Sequence, residues 1–171
     1  MRGWLLDTNV ISELRKSRPD ANVRAFVSAQ PGDDLYLSEV TLAEIRFGIE
    51  QLEDAARRAD LHHWLERTVR AHFVGRILAV GEDVFLRWKM LHVAGQKRGH
   101  TFSQPDLFIA ALAAVEDLAV VSRDTSEFVA AGVPVFDPWT LTLHARGKAV
   151  TAPVDLTVDG IAALVGARRR R

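Results

Sequence analysis

Short apolar runs alternate with longer stretches of helical periodicity along most of this chain. Trp4, Leu5 and Leu6 form a run that stops at Asp7 and reads as a buried strand. Residues 35–37, 77–80, 119–122 and 133–136 read the same way. Between them, apolar positions recur every three or four residues, which predicts helices over 9–14, 22–29, 40–52, 54–73, 82–94 and 105–116. Leu61, Trp64, Leu65, Val69 and Phe73 set the period of the longest one. Ser38 stands where the N-cap of a helix belongs, and Pro31, Gly32 and Asp33 mark a turn. Alternating strands and helices imply an α/β domain with a parallel sheet of about five strands.

The pattern changes after Trp139. Gly147, Pro153, Gly160 and Gly166 interrupt any strong period. We therefore divide the chain into a body, 1–140, and a C-terminal extension, 141–171. Ile161, Leu164 and Val165 can share one face of a short helix, with Arg168–Arg171 at its C-terminal end, where cations are favoured. A helix this short is marginal alone. The extension is expected to be mobile unless it docks on the body, a second copy or a partner. Deleting residues 147–171 is expected to leave the fold intact.

Composition narrows the chemistry. With 171 residues and 48% hydrophobic content the chain can bury one proper core. Having no cysteine, it can form neither disulfides nor a thiolate zinc site, which fits a reducing cytoplasm. No secretory signal is visible, and no apolar run approaches the ~20 residues that span a bilayer. The 22 basic and 22 acidic residues cancel, but the four terminal arginines account for the balance; the rest is acidic. A polyanionic partner therefore needs local basic groups or bound cations.

Four acids fall where a predicted strand gives way to a loop or helix: Asp7, Glu44, Asp106 and Asp124. In an open parallel sheet such positions meet at the carboxyl ends of the strands, where ligands bind. Carboxylates gathered there repel one another unless a divalent cation joins them, and oxygen-only ligands suit Mg²⁺ or Mn²⁺. Each acid also has a plainer use. Asp7 can cap a turn or helix. Glu44 can sit on a solvated helix face, although Val40, Phe47 and Gly48 flank it at helical spacing. Ser103, Gln104, Pro105 and Asp106 fit a capping box. Asp124 and Glu127 can be solvated loop charges. His62 and His63 diverge on a helix, and His92 and His100 flank a loop without a ligand pattern, so zinc is not favoured.

The motifs in order are Leu5-Leu6-Asp7-Thr8-Asn9-Val10-Ile11-Ser12-Glu13, Leu37-Ser38-Glu39-Val40-Thr41-Leu42-Ala43-Glu44-Ile45, Asp106-Leu107-Phe108-Ile109-Ala110-Ala111, and Val121-Ser122-Arg123-Asp124 followed by Phe128. With the closing Val135-Phe136-Asp137-Pro138-Trp139, the chain resembles the PIN-domain ribonucleases, specifically the VapC/FitB-like toxins of bacterial toxin–antitoxin pairs. The resemblance implies a three-layer α/β/α fold with strand order 3-2-1-4-5. It makes Asp7, Glu44 and Asp106 a triad that holds Mg²⁺ or Mn²⁺, with Asp124 as a fourth acid and Asn9 and Ser122 orienting the carboxylates. One or two ions are open, and Glu44 or Asp124 orients the attacking water. It further implies an RNA substrate, with tRNA as the family's guide, a cognate antitoxin, a homodimer and growth arrest. Arg46 and Arg123, with Arg15, Lys16 and Arg98, are candidate phosphate contacts. The extension departs from the family's short ending.

Two rivals fit the residues poorly. A phosphoreceiver module needs an acidic pair after its first strand, and here Thr8 and Asn9 follow Asp7. An aspartate-nucleophile phosphatase needs a second aspartate where Asn9 stands. A catalytically idle PIN-like module that only binds partners is the remaining alternative.

Overall fold

The computed structural model describes residues 1–165. Strands β1 (Gly3–Leu6), β2 (Leu35–Ser38), β3 (Ile77–Leu78), β4 (Leu118–Val121) and β5 (Val135–Asp137) are parallel and stand in the order 3-2-1-4-5. Two more strands, β6 (Thr142–Ala145) and β7 (Lys148–Thr151), continue the sheet antiparallel beyond β5. The helices are α1 (Thr8–Leu14), α2 (Ala21–Ala29), α3 (Glu39–Glu50), α4 (Ala55–Trp64), α5 (Glu82–Lys97), α6 (Gln104–Val115), α7 (Thr125–Ala131) and α8 (Val158–Val165). Among the described residues no helix is long and apolar enough to cross a membrane.

The central strand β1 is buried along its whole length, which explains why it reads as a continuous apolar run. Its side chains alternate between two cores. Trp4 and Leu6 join one core with Phe26 and Phe136, while Leu5 joins the other with Ile109 and Val120. The rings of Trp4, Phe26 and Phe136 lie 4.8–6.0 Å apart, edge-on or tilted, as aromatic quadrupoles favour. Helices α5, α6 and α7 cover the Leu5 face; α2 and α8 cover the Trp4 face.

The helix expected over 54–73 is regular only to Trp64. It continues as a π-helical stretch, Leu65–Arg70, in which Leu65 and Val69 are buried. A π turn widens the helix by one residue, which no apolar spacing announces.

The extension docks on the body, the case in which it was not expected to be mobile. Ala152, Leu156, Ile161 and Val165 pack into the same cluster as Trp4. Gln30 ties the parts together: its Oε1 accepts from Trp4 Nε1 (2.9 Å), and its Nε2 donates to the carbonyls of Phe26 (3.3 Å) and Leu156 (3.2 Å). Lys148 Nζ donates to the Val165 carbonyl at the end of α8. Ile161 and Val165 are buried, while Leu164, expected on the same face, is 38% exposed. Arg168–Arg171 lie outside the described residues.

Candidate active site

Leu6 of β1 pairs with Val121 of β4, so the residues that follow each strand emerge side by side. The Asp7 N–H donates to the Val121 carbonyl. Asp7 is the N-cap of α1, and its Oδ1 accepts from the Thr8 N–H (2.7 Å). Its Oδ2 accepts from Ser122 Oγ (2.6 Å) and Asn9 Nδ2 (2.9 Å). The Asn9 amide also donates to Ser122 Oγ (2.9 Å) and Asp124 Oδ2 (3.4 Å). One amide thus binds Asp7, Ser122 and Asp124 into a single network. Asp124 caps α7 in position but makes no side-chain cap bond, so its carboxylate is not committed to that helix.

Glu44 arrives from α3. Ser38 caps this helix through the Thr41 N–H and bonds the Thr41 hydroxyl, both residues being fully buried. That fixes the first turn, and Glu44 follows one turn later, where it accepts from Thr8 Oγ1. It opens onto a groove of about 330 Å³ lined also by Ser12, Arg15, Gly48, Arg57 and Trp64. The apolar neighbour expected in Phe47 instead points to solvent.

Asp106 lies in the first turn of α6 after Ser103 and Pro105. The expected capping box does not form as such. Ser103 occupies the N-cap but makes no side-chain cap bond. Its N–H donates instead to Glu127 Oε2 (3.1 Å). Glu127 therefore supports the turn that carries Asp106. The sequence pattern gave it no prominence; its only signal is a first-turn position in the helix that follows Asp124.

The candidate arginines are spread. Arg123 donates its N–H to Asn9 Oδ1 (3.4 Å) and lays its guanidinium over Trp139 at 5.2 Å. Arg15 lies 5.8 Å over Trp64 at the groove. Arg46 is exposed, about 200° around α3 from Glu44. Lys16 pairs with Glu13, and Arg98 donates to the Ala130 carbonyl.

A PIN-domain family model matches residues 4–133. This chain belongs to the PIN-domain family. The VapC ribonuclease Y4jK of Sinorhizobium fredii is 39% identical over 135 residues, 79% of this chain and 96% of that protein. Toxin FitB of Neisseria gonorrhoeae is 38% identical over 79% of this chain and 97% of its own length. The crystal structure of FitAcB from Neisseria gonorrhoeae superposes with a TM-score of 0.75 at 38% identity, covering 80% of this chain and 98% of that one. The PIN domain described here is thus a VapC/FitB-like member of the toxin–antitoxin nuclease family. Its structural neighbours are toxin–antitoxin complexes, one of them FitAB bound to a DNA fragment.

The PIN carboxylates feel one another. Burial pushes the Asp7 carboxyl up to about 6 from its ordinary 3.8; bonds from Ser122 and the Thr8 N–H oppose this, while the charges of Asp106 and Glu44 add to it. Burial also raises Asp106, the Ser103 hydroxyl opposes, and Glu44, Glu127 and Asp124 raise it further. Among the described residues no three of these side chains form a ready-made metal cage. The donor set nevertheless fits a hard divalent cation: it is all oxygen, it is strongly acidic, and its repulsion is what such a cation relieves.

Proposed function

We propose that this PIN domain is a metal-dependent endoribonuclease acting in the cytoplasm as the toxin of a toxin–antitoxin pair, its chemistry carried by residues 1–140. The observation that carries this reading is the hydrogen-bonded network at the ends of β1 and β4, in which the Asn9 amide joins Asp7, Ser122 and Asp124 and Thr8 joins Asp7 to Glu44. Asp7, Glu44, Asp106 and Asp124 would hold Mg²⁺ or Mn²⁺. A divalent ion there supplies Lewis-acid polarisation of a phosphate and lowers the pKa of a bound water. Asn9 and Ser122 hold the Asp7 carboxylate in orientation through two hydrogen bonds to one oxygen. Glu44 or Asp124 would orient the attacking water through a hydrogen bond. Arg123, braced on Trp139, and Arg15 at the groove are the cations best placed for the RNA backbone.

The deciding experiment incubates purified protein with RNA, tRNA first, at fixed Mg²⁺ or Mn²⁺ and with excess EDTA. Cleavage that needs the metal, and growth arrest on expression without an antitoxin, are the expected results. Binding of an antitoxin without any metal-dependent cleavage would establish the idle module instead.

The antitoxin belongs in the groove beside Glu44, where an arginine from it would pair with the carboxylates in place of the metal. For the homodimer, α5 offers the supporting surface. Phe85, Leu86 and Met90 are each more than half exposed on it. Glu82 and Asp83 begin the helix and Lys97 ends it. Two copies packed antiparallel about a two-fold axis near Met90 place each acidic start against the other's Lys97, as an isologous contact requires. Light scattering is expected to show a dimer at micromolar concentration and a monomer for the double substitution Leu86→Glu, Met90→Glu. A parent chain that is strictly monomeric overturns this arrangement.

A further inference from the structure

In a capping box, the N-cap side chain bonds the N–H of the third helical residue, and that residue's carboxylate returns to the N-cap N–H. Ser103 is the N-cap of α6 and Asp106 is the third helical residue. The sequence therefore offers Asp106 a structural task that would fold its carboxylate back over the helix end. The structure gives that task to another residue. Ser103 N–H donates to Glu127 Oε2 at 3.1 Å, and Ser103 Oγ makes no cap bond to the helix backbone.

Glu127 is placed by the helix that carries it. It sits in the first turn of α7, whose packing on α6 is anchored by the fully buried Phe128. His100 Nε2 lies 3.6 Å from the same Oε2. The His100 ring stands edge-on to Phe102, 4.4 Å away, and Phe102 fills the space that Gly95 leaves open on α5. Any Cβ at Gly95 would run into the Phe102 ring, so the close approach of α5 fixes the segment that leads into Ser103.

We propose that Glu127 is a positioning residue: by taking the Ser103 N–H, it releases the Asp106 carboxylate from the cap for the acidic site. Glu127 acts through Ser103 and does not itself bind the reacting groups. The cleavage arm of the test rests on the nuclease reading above; the structural arm does not.

Two full-length variants separate reach from charge. Glu127→Gln keeps an oxygen acceptor at the same distance and removes the charge. Glu127→Asp keeps the charge on a side chain one methylene shorter, which falls short of hydrogen-bond range. The Ser103 amide in ¹H–¹⁵N spectra reports the bond directly. It is expected at low field in the parent and in Glu127→Gln, and shifted upfield in Glu127→Asp. RNA cleavage is expected to stay within about threefold of the parent for Glu127→Gln. It should fall by about tenfold to a hundredfold for Glu127→Asp, the scale of a misplaced catalytic group. The reverse order, with Glu127→Gln inactive and Glu127→Asp active, makes Glu127 a direct charge-bearing ligand and overturns the proposal. Equal activity of all three chains overturns it as well. If no chain cleaves RNA the nuclease reading fails, and a Ser103 amide that does not shift in Glu127→Asp overturns the proposal independently of cleavage.

Discussion

Metal-free protein carrying Asp7→Asn is expected to melt several degrees above the parent at pH 7, while RNA cleavage falls by at least about a thousandfold. The two effects share one cause. Burial raises the Asp7 carboxyl from 3.8 to about 6 in the folded chain. Between those values the folded state binds the extra proton, so this group favours folding at low pH and disfavours it increasingly as pH rises through about 6. At pH 7 the charged form costs on the order of 3 kcal/mol, and at pH 5 about half as much. An amide in its place carries no charge and can still accept from the Thr8 N–H. Its NH₂ group, however, faces the Asn9 amide that now donates to Asp7 Oδ2. The Ser122 oxygen already accepts from the Asn9 amide and the Asp124 N–H, so neither neighbour takes the new NH₂, and the two lost bonds return about 1–2 kcal/mol. The net gain is about 1–2 kcal/mol, or roughly 3–6 °C in melting temperature. Thermal melts in EDTA at pH 5 and pH 7 check this, with the larger gain at pH 7. A variant that melts lower at pH 7 would show that the hydrogen-bond loss outweighs the relieved charge. Undiminished growth arrest by this variant counts decisively against the proposed chemistry.

Truncation after residue 146 is expected to be the most damaging change to stability. It removes Ala152, Leu156, Ile161 and Val165 from the core around Trp4. It also takes the Leu156 carbonyl from Gln30, a residue only 8% exposed. The ordering entropy of the removed segment offsets part of the lost burial. A fall in melting temperature of about 5–15 °C is the expected result, read by circular dichroism on the full and truncated chains. A truncated chain that melts with the parent would mean that the body closes over the vacated surface unaided.

What the sequence made legible follows from how local each signal is. The five parallel strands announce themselves because each is a short apolar run bounded by polar residues. Asp7, Asp124 and Ser38 sit at strand ends, where position alone fixes their direction. The β6–β7 hairpin carries no such local signal. Its two-residue turn is Arg146-Gly147, with φ of 52° and 72°. Both values are positive, as a type I′ turn needs, but the usual Asn-Gly or Asp-Gly signature is missing. The π-helical stretch after Trp64 depends on packing of Leu65 and Val69, which no periodicity records. Glu127 was illegible because its role depends on Ser103, twenty-four positions earlier, and on a cap that the local sequence assigns to Asp106.

The two hairpin strands also relocate the sheet's open edge. Without them the last strand would be β5, buried along its length. With them the edge is β7, four residues long, opening on Lys148 and largely solvated. At the far side, β3 has only two residues. Short, charged borders are poor templates for another chain's backbone. Growth into a shared sheet or fibril therefore has little purchase on this molecule, and copies or partners must meet it through helix surfaces and side-chain complementarity.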